Sequence, residues 1–232
     1  MALYVLADLH LSCAVNKPMD IFGGAWDGYM DKLRDGLKVL TDDDVLVIPG
    51  DVSWGINLKE AEADFRFLES YPGRKLIVKG NHDLWWDTKS KMMRFLTEKN
   101  ISSIDFIHNC AFAYGDTAIC GTRGWFYEEE HGGAHDEKMK NREVLRLENS
   151  LAKAKETGCS RIYCFMHYPP VFGKYICEEM CEKLSEYGVD TCFYGHLHGQ
   201  SHRNAFEGVK NGVNYRLVSG DYVNFQPILI MQ

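Results

Sequence analysis

The chain has no apolar run approaching the ~20 residues that a membrane helix needs. Its start, Met1-Ala-Leu-Tyr-Val-Leu-Ala-Asp8, lacks a basic region followed by a longer apolar stretch, so it does not read as a signal peptide. A soluble, cytoplasmic protein without a membrane partner is expected. Cationic excess is also missing: 26 Lys plus Arg stand against 33 Asp plus Glu, a formal charge of −7. Binding to an extended nucleic-acid backbone wants clustered Lys and Arg, so a nucleic-acid partner is disfavoured. A short phosphorylated substrate remains compatible, because bound metal supplies positive charge locally. There is no Pro- or Ser-rich linker and no internal repeat, which leaves one domain over residues 1–232 as the simplest organisation.

What the chain does have is an alternation of elements. Short apolar, β-branched runs occur at Leu3–Ala7, Val45–Ile48, Leu76–Val78, Ile104–Ile107, Phe112–Tyr114 and Ala118–Cys120. They recur at Ile162–Phe165, Cys192–Tyr194, Tyr215–Val218 and Ile228–Met231. Each has strand length. Between several of them lie helix-period stretches, such as Tyr29, Leu33, Leu37 and Leu40, or Val144, Leu147 and Leu151. Asp87 or Thr88 is the candidate cap for a helix carrying Met92 and Leu96. The first 100 residues therefore predict βαβ units and a largely parallel sheet. The closer spacing of the later strands predicts antiparallel hairpins in a second sheet. Eight cysteines, several inside apolar runs, read as reduced core residues of a reducing compartment.

The chemistry follows the strands. Asp8-Leu-His10 comes after the first run, Gly50-Asp51 after the second, and Gly80-Asn81-His82-Asp83 after the third. His167 follows Ile162–Phe165, and Gly195-His196-Leu-His198 follows Cys192–Tyr194. In open α/β sheets ligands bind at the carboxyl ends of strands. If these five strands lie side by side, seven N/O donors converge: Asp8, His10, Asp51, Asn81, His167, His196 and His198. Imidazole with carboxylate suits divalent Mn, Fe or Zn, with Co or Ni also possible, rather than Ca. No cysteine falls in the set, which argues against a structural zinc thiolate. Seven donors are too many for one tetrahedral ion and suit two ions about 3.5–4 Å apart. Taken singly, each piece also has a plain reading: Gly-Asn-His-Asp as a turn, or His167 before Tyr168-Pro-Pro as a strand end.

This ordered set resembles the calcineurin-like metallophosphoesterase superfamily, over residues 8 to 198. The resemblance implies a four-layer αββα sandwich, two mixed β-sheets flanked by helices, with the site at one edge. It implies that Asp8, His10, Asp51 and His198 bind one metal and that Asp51, Asn81, His167 and His196 bind the other. It makes His82 the general acid or a phosphate contact, with Asp83 orienting it. The activity implied is hydrolysis of a phosphodiester or small phosphomonoester by a metal-bridging hydroxide, His82 protonating the leaving oxygen. A catalytically quiet scaffold on the same fold and a nuclease are the alternatives.

Some positions depart from the family pattern. Trp54 stands where many members carry an acid three residues after the bridging Asp. No Arg follows Asp51, and Asp83 replaces the Glu of the protein phosphatase branch, so a phosphoprotein phosphatase is disfavoured. Arg123, directly after a strand, is the candidate to hold a substrate phosphate, and a surface ion pair is its plain alternative. Asn81 is a second candidate substrate contact. The loop from Trp125 to Asp136 contains Trp125, Phe126 and Tyr127, which either stack on substrate or pack over the core, and His131 and His135, read as solvated. His202 is a candidate cleft residue. The sequence leaves the natural substrate, the metal and the oligomeric state open.

Overall fold

A computed structural model describes residues 1–126 and 133–232. Strands β1 (Leu3–Val5), β2 (Val45–Pro49), β3 (Arg74–Val78) and β4 (Ile104–Phe106) lie in that spatial order and run parallel. Their crossovers contain α1 (Tyr29–Leu37), α2 (Leu58–Glu69) and α3 (Lys89–Glu98). Asn57 caps α2 by accepting from the Glu60 N–H at 3.1 Å. Thr88, not Asp87, caps α3.

The second sheet is built from β5 (Phe112–Tyr114), β6 (Thr117–Thr122), β7 (Arg161–Met166), β10 (Thr191–Tyr194), β11 (Gly208–Lys210) and β12 (Val213–Leu217), in the order β11-β12-β10-β7-β6-β5. A separate small hairpin joins β8 (Val171–Phe172) to β9 (Tyr175–Ile176). Helix α4 (Ala134–Glu156) links β6 to β7, and α5 (Glu178–Glu186) lies between β7 and β10. Finally β13 (Ile228–Met231) returns to the first sheet, antiparallel to β1.

Strand periodicity explains the layering, because successive side chains point to opposite faces. Val45 and Val47 enter the core between the sheets, while Leu46 and Ile48 face Leu33, Phe65 and Leu68 of the helices. On the second sheet Ile119, Phe165 and Phe193 point between the sheets, and Phe165 stacks on Phe193 at 5.1 Å. Cys120, Cys164 and Cys192 point the other way, onto Leu147 and Leu151 of α4 and Met180 and Leu184 of α5. The result is the expected αββα sandwich. Both faces of each sheet are covered, so the strands are near-continuous apolar runs.

One expectation is corrected. The centre of the second sheet, β12-β10-β7-β6, is parallel. Antiparallel pairs occur only at its edges, β5–β6 and β11–β12. Parallel neighbours need long crossovers, and α4 and α5 supply them. The β11–β12 hairpin turns at Asn211 and Gly212, with φ of 52° and 80°, as a two-residue hairpin turn requires. Among the described residues no helix is long and apolar enough to cross a membrane.

Candidate metal centre

The two sheets meet at their carboxyl edge. Beyond β1 the chain crosses to the second sheet, where Ala7 bridges to Ser219 and donates its N–H to Val218 O at 2.9 Å. That crossing brings the ends of β1, β2 and β3 against those of β7 and β10. Asp8, His10, Asp51 and His196 then take positive φ, at 59°, 45°, 51° and 71°. Such conformations cost about 1–3 kcal/mol each for a residue with a side chain, and persist only where the surroundings impose them. Gly80 and Gly195 permit the close approaches. A Cβ on Gly80 would lie 2.1 Å from Asp51 Oδ1, and one on Gly195 would lie 2.5 Å from Asp8 Oδ2.

All seven donors named from the sequence come together here. Asp8, His10 and His198 each place an N or O atom within 4.8 Å of the others, and so do Asp51, His167 and His196. Asn81 joins the second group, its Oδ1 lying 2.6 Å from His167 Nε2 and 2.9 Å from His196 Nδ1. Asp51 touches both groups, with Oδ2 3.4 Å from His167 Nε2 and 3.7 Å from His10 Nε2.

Hydrogen bonds on the far side of two rings fix which nitrogen faces inward. His167 Nδ1 lies 3.1 Å from Pro49 O, and His198 Nδ1 lies 2.8 Å from Asp221 Oδ1. Pro49 O takes the single proton of a neutral His167 and turns its Nε2 lone pair into the cluster, and Asp221 holds the His198 Nδ1–H so that Nε2 points the same way. With the Asn81 amide in the observed orientation, His167 Nε2 then faces Asn81 Oδ1 with no proton between them. His10 Nε2 lies 3.4 Å from His198 Nε2. Buried acceptors aimed at acceptors are costly unless a cation lies among them. The donor set of imidazole, carboxylate and amide oxygen, without thiolate, fits divalent transition metals.

Electrostatics agree with that fit. Burial, with Asp51 adding to it and His198 opposing it, raises the Asp8 carboxyl above the usual carboxylate range. Burial also raises Asp51, against His82, and raises Asp83, with Asp51 adding. Burial lowers His10, His167 and His196, so these rings are neutral at pH 7. Desolvation of the half-buried His198 acts to lower it too, but Asp8 and Asp221 outweigh that effect and raise it.

The flanking residues sort by geometry. The His82 ring lies against Trp54, with centroids 4.4 Å apart, and its backbone N–H donates to Asp51 Oδ1 at 2.8 Å. Asp83 does not reach the His82 ring in any hydrogen bond of the described residues. Its carboxylate accepts from the N–H groups of Gly80, Asp51, Val52 and Ser53 at 2.7–3.2 Å, and from Trp85 Nε1 at 3.1 Å. It ties the Asp51 and Asn81 loops together rather than orienting an imidazole. Arg123 is engaged by a carboxylate of this chain. Its Nη2 is 3.3 Å from Glu143, its guanidinium lies 4.8 Å over Trp125, and it is not among the seven converging residues. The buried Glu143 also takes Arg146 and Thr122, and a carboxylate so placed needs cationic partners.

Phe126 packs against Tyr168 and His196, and Trp125 against Tyr168. Tyr127 and His131 lie outside the described residues. His202 Nε2 lies 3.0 Å from Leu197 O and 3.3 Å from Asp221. Asp221 itself was missed from the sequence. It follows the Tyr215–Val218 run as Ser219-Gly220-Asp221, the same strand-then-Gly-Asp signal that marks Gly50-Asp51.

The sequence model of the calcineurin-like phosphoesterase family matches residues 1–200. No curated protein matches the chain. Among solved structures, the phosphopantetheinyl hydrolase PptH of Mycobacterium tuberculosis is similar, at 14% identity and a TM-score of 0.57, over 99% of this chain and 96% of that one. A protein of unknown function from Aquifex aeolicus is 17% identical, with a TM-score of 0.52, over 98% of this chain and 95% of that chain. The protein TT1561 of Thermus thermophilus is 13% identical, with a TM-score of 0.53, over 84% of this chain and 81% of that chain. At these identities the likeness is one of fold.

Proposed function

We propose, for a chain that belongs to the calcineurin-like phosphoesterase family, that the converged donors hold two divalent ions and hydrolyse a phosphodiester or small phosphomonoester. Asp8, His10, Asp51 and His198 hold one ion; Asp51, Asn81, His167 and His196 hold the other. Mn, Fe and Zn fit the donor set best. When bound, such ions polarise a phosphoryl oxygen and lower the pKa of water toward neutrality.

The remaining work falls to this chain's own groups. His82 stands beside His10 on the wall of the cavity that opens at the site. Its imidazole gives a proton to the leaving oxygen, as a general acid within reach of that atom. Asp221 holds the His198 ring from behind, and Asp83 fixes the loops that carry Asp51 and Asn81. Both sheets contribute donors, so residues 1–232 act as one unit. The eight unpaired cysteines support a reducing, cytoplasmic setting.

The observation that carries this reading is the convergence of these imidazole, carboxylate and amide groups, with His167 Nε2 and Asn81 Oδ1 facing each other as acceptors at 2.6 Å. Purified protein, stripped with chelator and reloaded with Mn²⁺, is expected to cleave bis-p-nitrophenyl phosphate or p-nitrophenyl phosphate. Asp51→Asn should lose turnover and part of the bound metal. His82→Gln should keep two ions per chain and lose about 10²-fold or more in kcat with a poor leaving group. Absence of turnover with Mn²⁺, Co²⁺, Ni²⁺ and Zn²⁺ alike refutes the reading.

A further inference from the structure

A cavity of about 550 Å³ opens directly beside the donor cluster, with His10, His82 and His198 at its inner end. That volume lies in the range of small-molecule sites. Its outer walls are Met19, Phe22, Trp26 and Trp54. The backbone of Gly23-Gly24-Ala25 lines one side, and a Cβ on Gly24 would meet nothing within 4 Å. Among the described residues no Lys or Arg lines the chamber, and its one carboxylate, Asp221, is already engaged by His198 and the Gly199 N–H. Lys17 lies over the Trp54 ring at 5.2 Å but outside the lining.

This chemistry is selective. A second phosphate or a carboxylate on the substrate would enter a low-polarity space with no Lys or Arg among its lining residues, beside the Asp221 carboxylate. A polyphosphate, a phosphopeptide with acidic flanks or a nucleic-acid strand is therefore disfavoured. An uncharged planar ring suits the walls, because three aromatic side chains bound the space and ring edges pack favourably on ring faces. Phe22 is 68% exposed, so a ligand there removes apolar surface that folding leaves in water.

We propose that the substrate is a phosphoester of an uncharged aromatic group, its ring seated between Phe22 and Trp54 while its phosphoryl group lies at His10, His82 and His198. The assignment rests on the phosphoesterase reading above and adds the class of the organic group. Trp54, standing where many relatives carry an acid, becomes a specificity-determining residue.

Binding of phosphonates to the full chain loaded with Mn²⁺, followed by isothermal titration, separates the two claims. Phenylphosphonate is expected to bind about 10- to 100-fold more tightly than methylphosphonate. Phe22→Asp, at an exposed position that tolerates a polar side chain, should shrink that ratio to below about 3-fold, and Phe22→Tyr should restore it. Cyclohexylphosphonate, similar in size but not planar, should bind more weakly than the phenyl compound. Equal binding of phenyl- and methylphosphonate overturns the proposal, and tighter binding of cyclohexylphosphonate overturns its aromatic part. If the phenyl preference and its Phe22 dependence appear while no ester is hydrolysed, the chamber stands and the catalytic reading fails. If esters are hydrolysed with no such preference, the reverse holds.

Discussion

Replacing Asp221 by alanine removes the carboxylate that receives the His198 Nδ1 proton at 2.8 Å and the Gly199 N–H at 2.9 Å. The ring then loses the partner that fixes its tautomer and aims Nε2 toward Asp8 and His10. Loss of such an outer partner costs about 10- to 100-fold in metal affinity, or about 1.4–2.7 kcal/mol. Two features of the site shape the measurement. Asp221 also helps raise the His198 pKa, so its removal makes His198 easier to deprotonate and partly offsets the loss. That offset fades once His198 is neutral in both proteins, so pH 8 gives the cleaner value. Gly199 is exposed, so water replaces its lost acceptor and global stability should fall by no more than about 1 kcal/mol. Titration of chelator-stripped protein with Zn²⁺ should show one weakened site, the Asp8–His10–His198 group, and one site near its original affinity. Asp221→Asn, which keeps an acceptor oxygen, should recover part of the loss. Two unaltered sites would refute the argument. So would equal weakening of both sites with a large fall in the melting point of the metal-free protein, because Asp221 would then be a structural residue only.

Metal-free protein should lose thermal stability as pH rises from about 7.5 to 8.5. The folded Asp8 carboxyl is raised to about 8 by burial, so the folded state holds a proton that the unfolded state has already released, and the raised His198 acts in the same direction. The lowered histidines oppose this while they deprotonate in the unfolded chain and have largely done so by about pH 7.5, and Mn²⁺ loading should remove the trend; a metal-free melting point that climbs over this range contradicts it. Gly195→Ala should destabilise by about 1–3 kcal/mol in urea titrations and lower metal stoichiometry, because the new methyl would lie 2.5 Å from Asp8 Oδ2 and 2.7 Å from Ala7 Cβ. Wild-type metal content in that variant would show that Asp8 can move without consequence. Asp83→Ala should cost at least about 3 kcal/mol, since its loss strands buried N–H groups of Asp51, Val52, Ser53 and Gly80 together. A loss below about 1 kcal/mol would mean that water reaches that loop.

Local pattern carried much of this protein. The ten apolar runs all became strands, because period and β-branching are properties of neighbours in sequence. The short β11 escaped because Gly208-Val209-Lys210 has no inward apolar side chain to announce it, with Val209 70% exposed. The polar residues after five strands were legible as a set, since a fixed chain direction places strand ends at one edge whenever the strands are parallel.

Other features exist only once the sheets pack. Parallel pairing in the second sheet depends on where α4 and α5 return the chain, and spacing alone misjudged it. Arg123 pairs with Glu143, a helix residue 20 positions away whose burial no local pattern reveals. Asp221 joined His198 from 23 positions away. The positive φ at Asp8, His10, Asp51 and His196 and the burial of the cluster depend on the two sheet edges meeting where Ala7 bridges to Ser219. Sequence by itself therefore determined which side chains stand at strand ends. The tertiary structure decided which of them meet, because burial, lone-pair direction and charge depend on neighbours in space rather than along the chain.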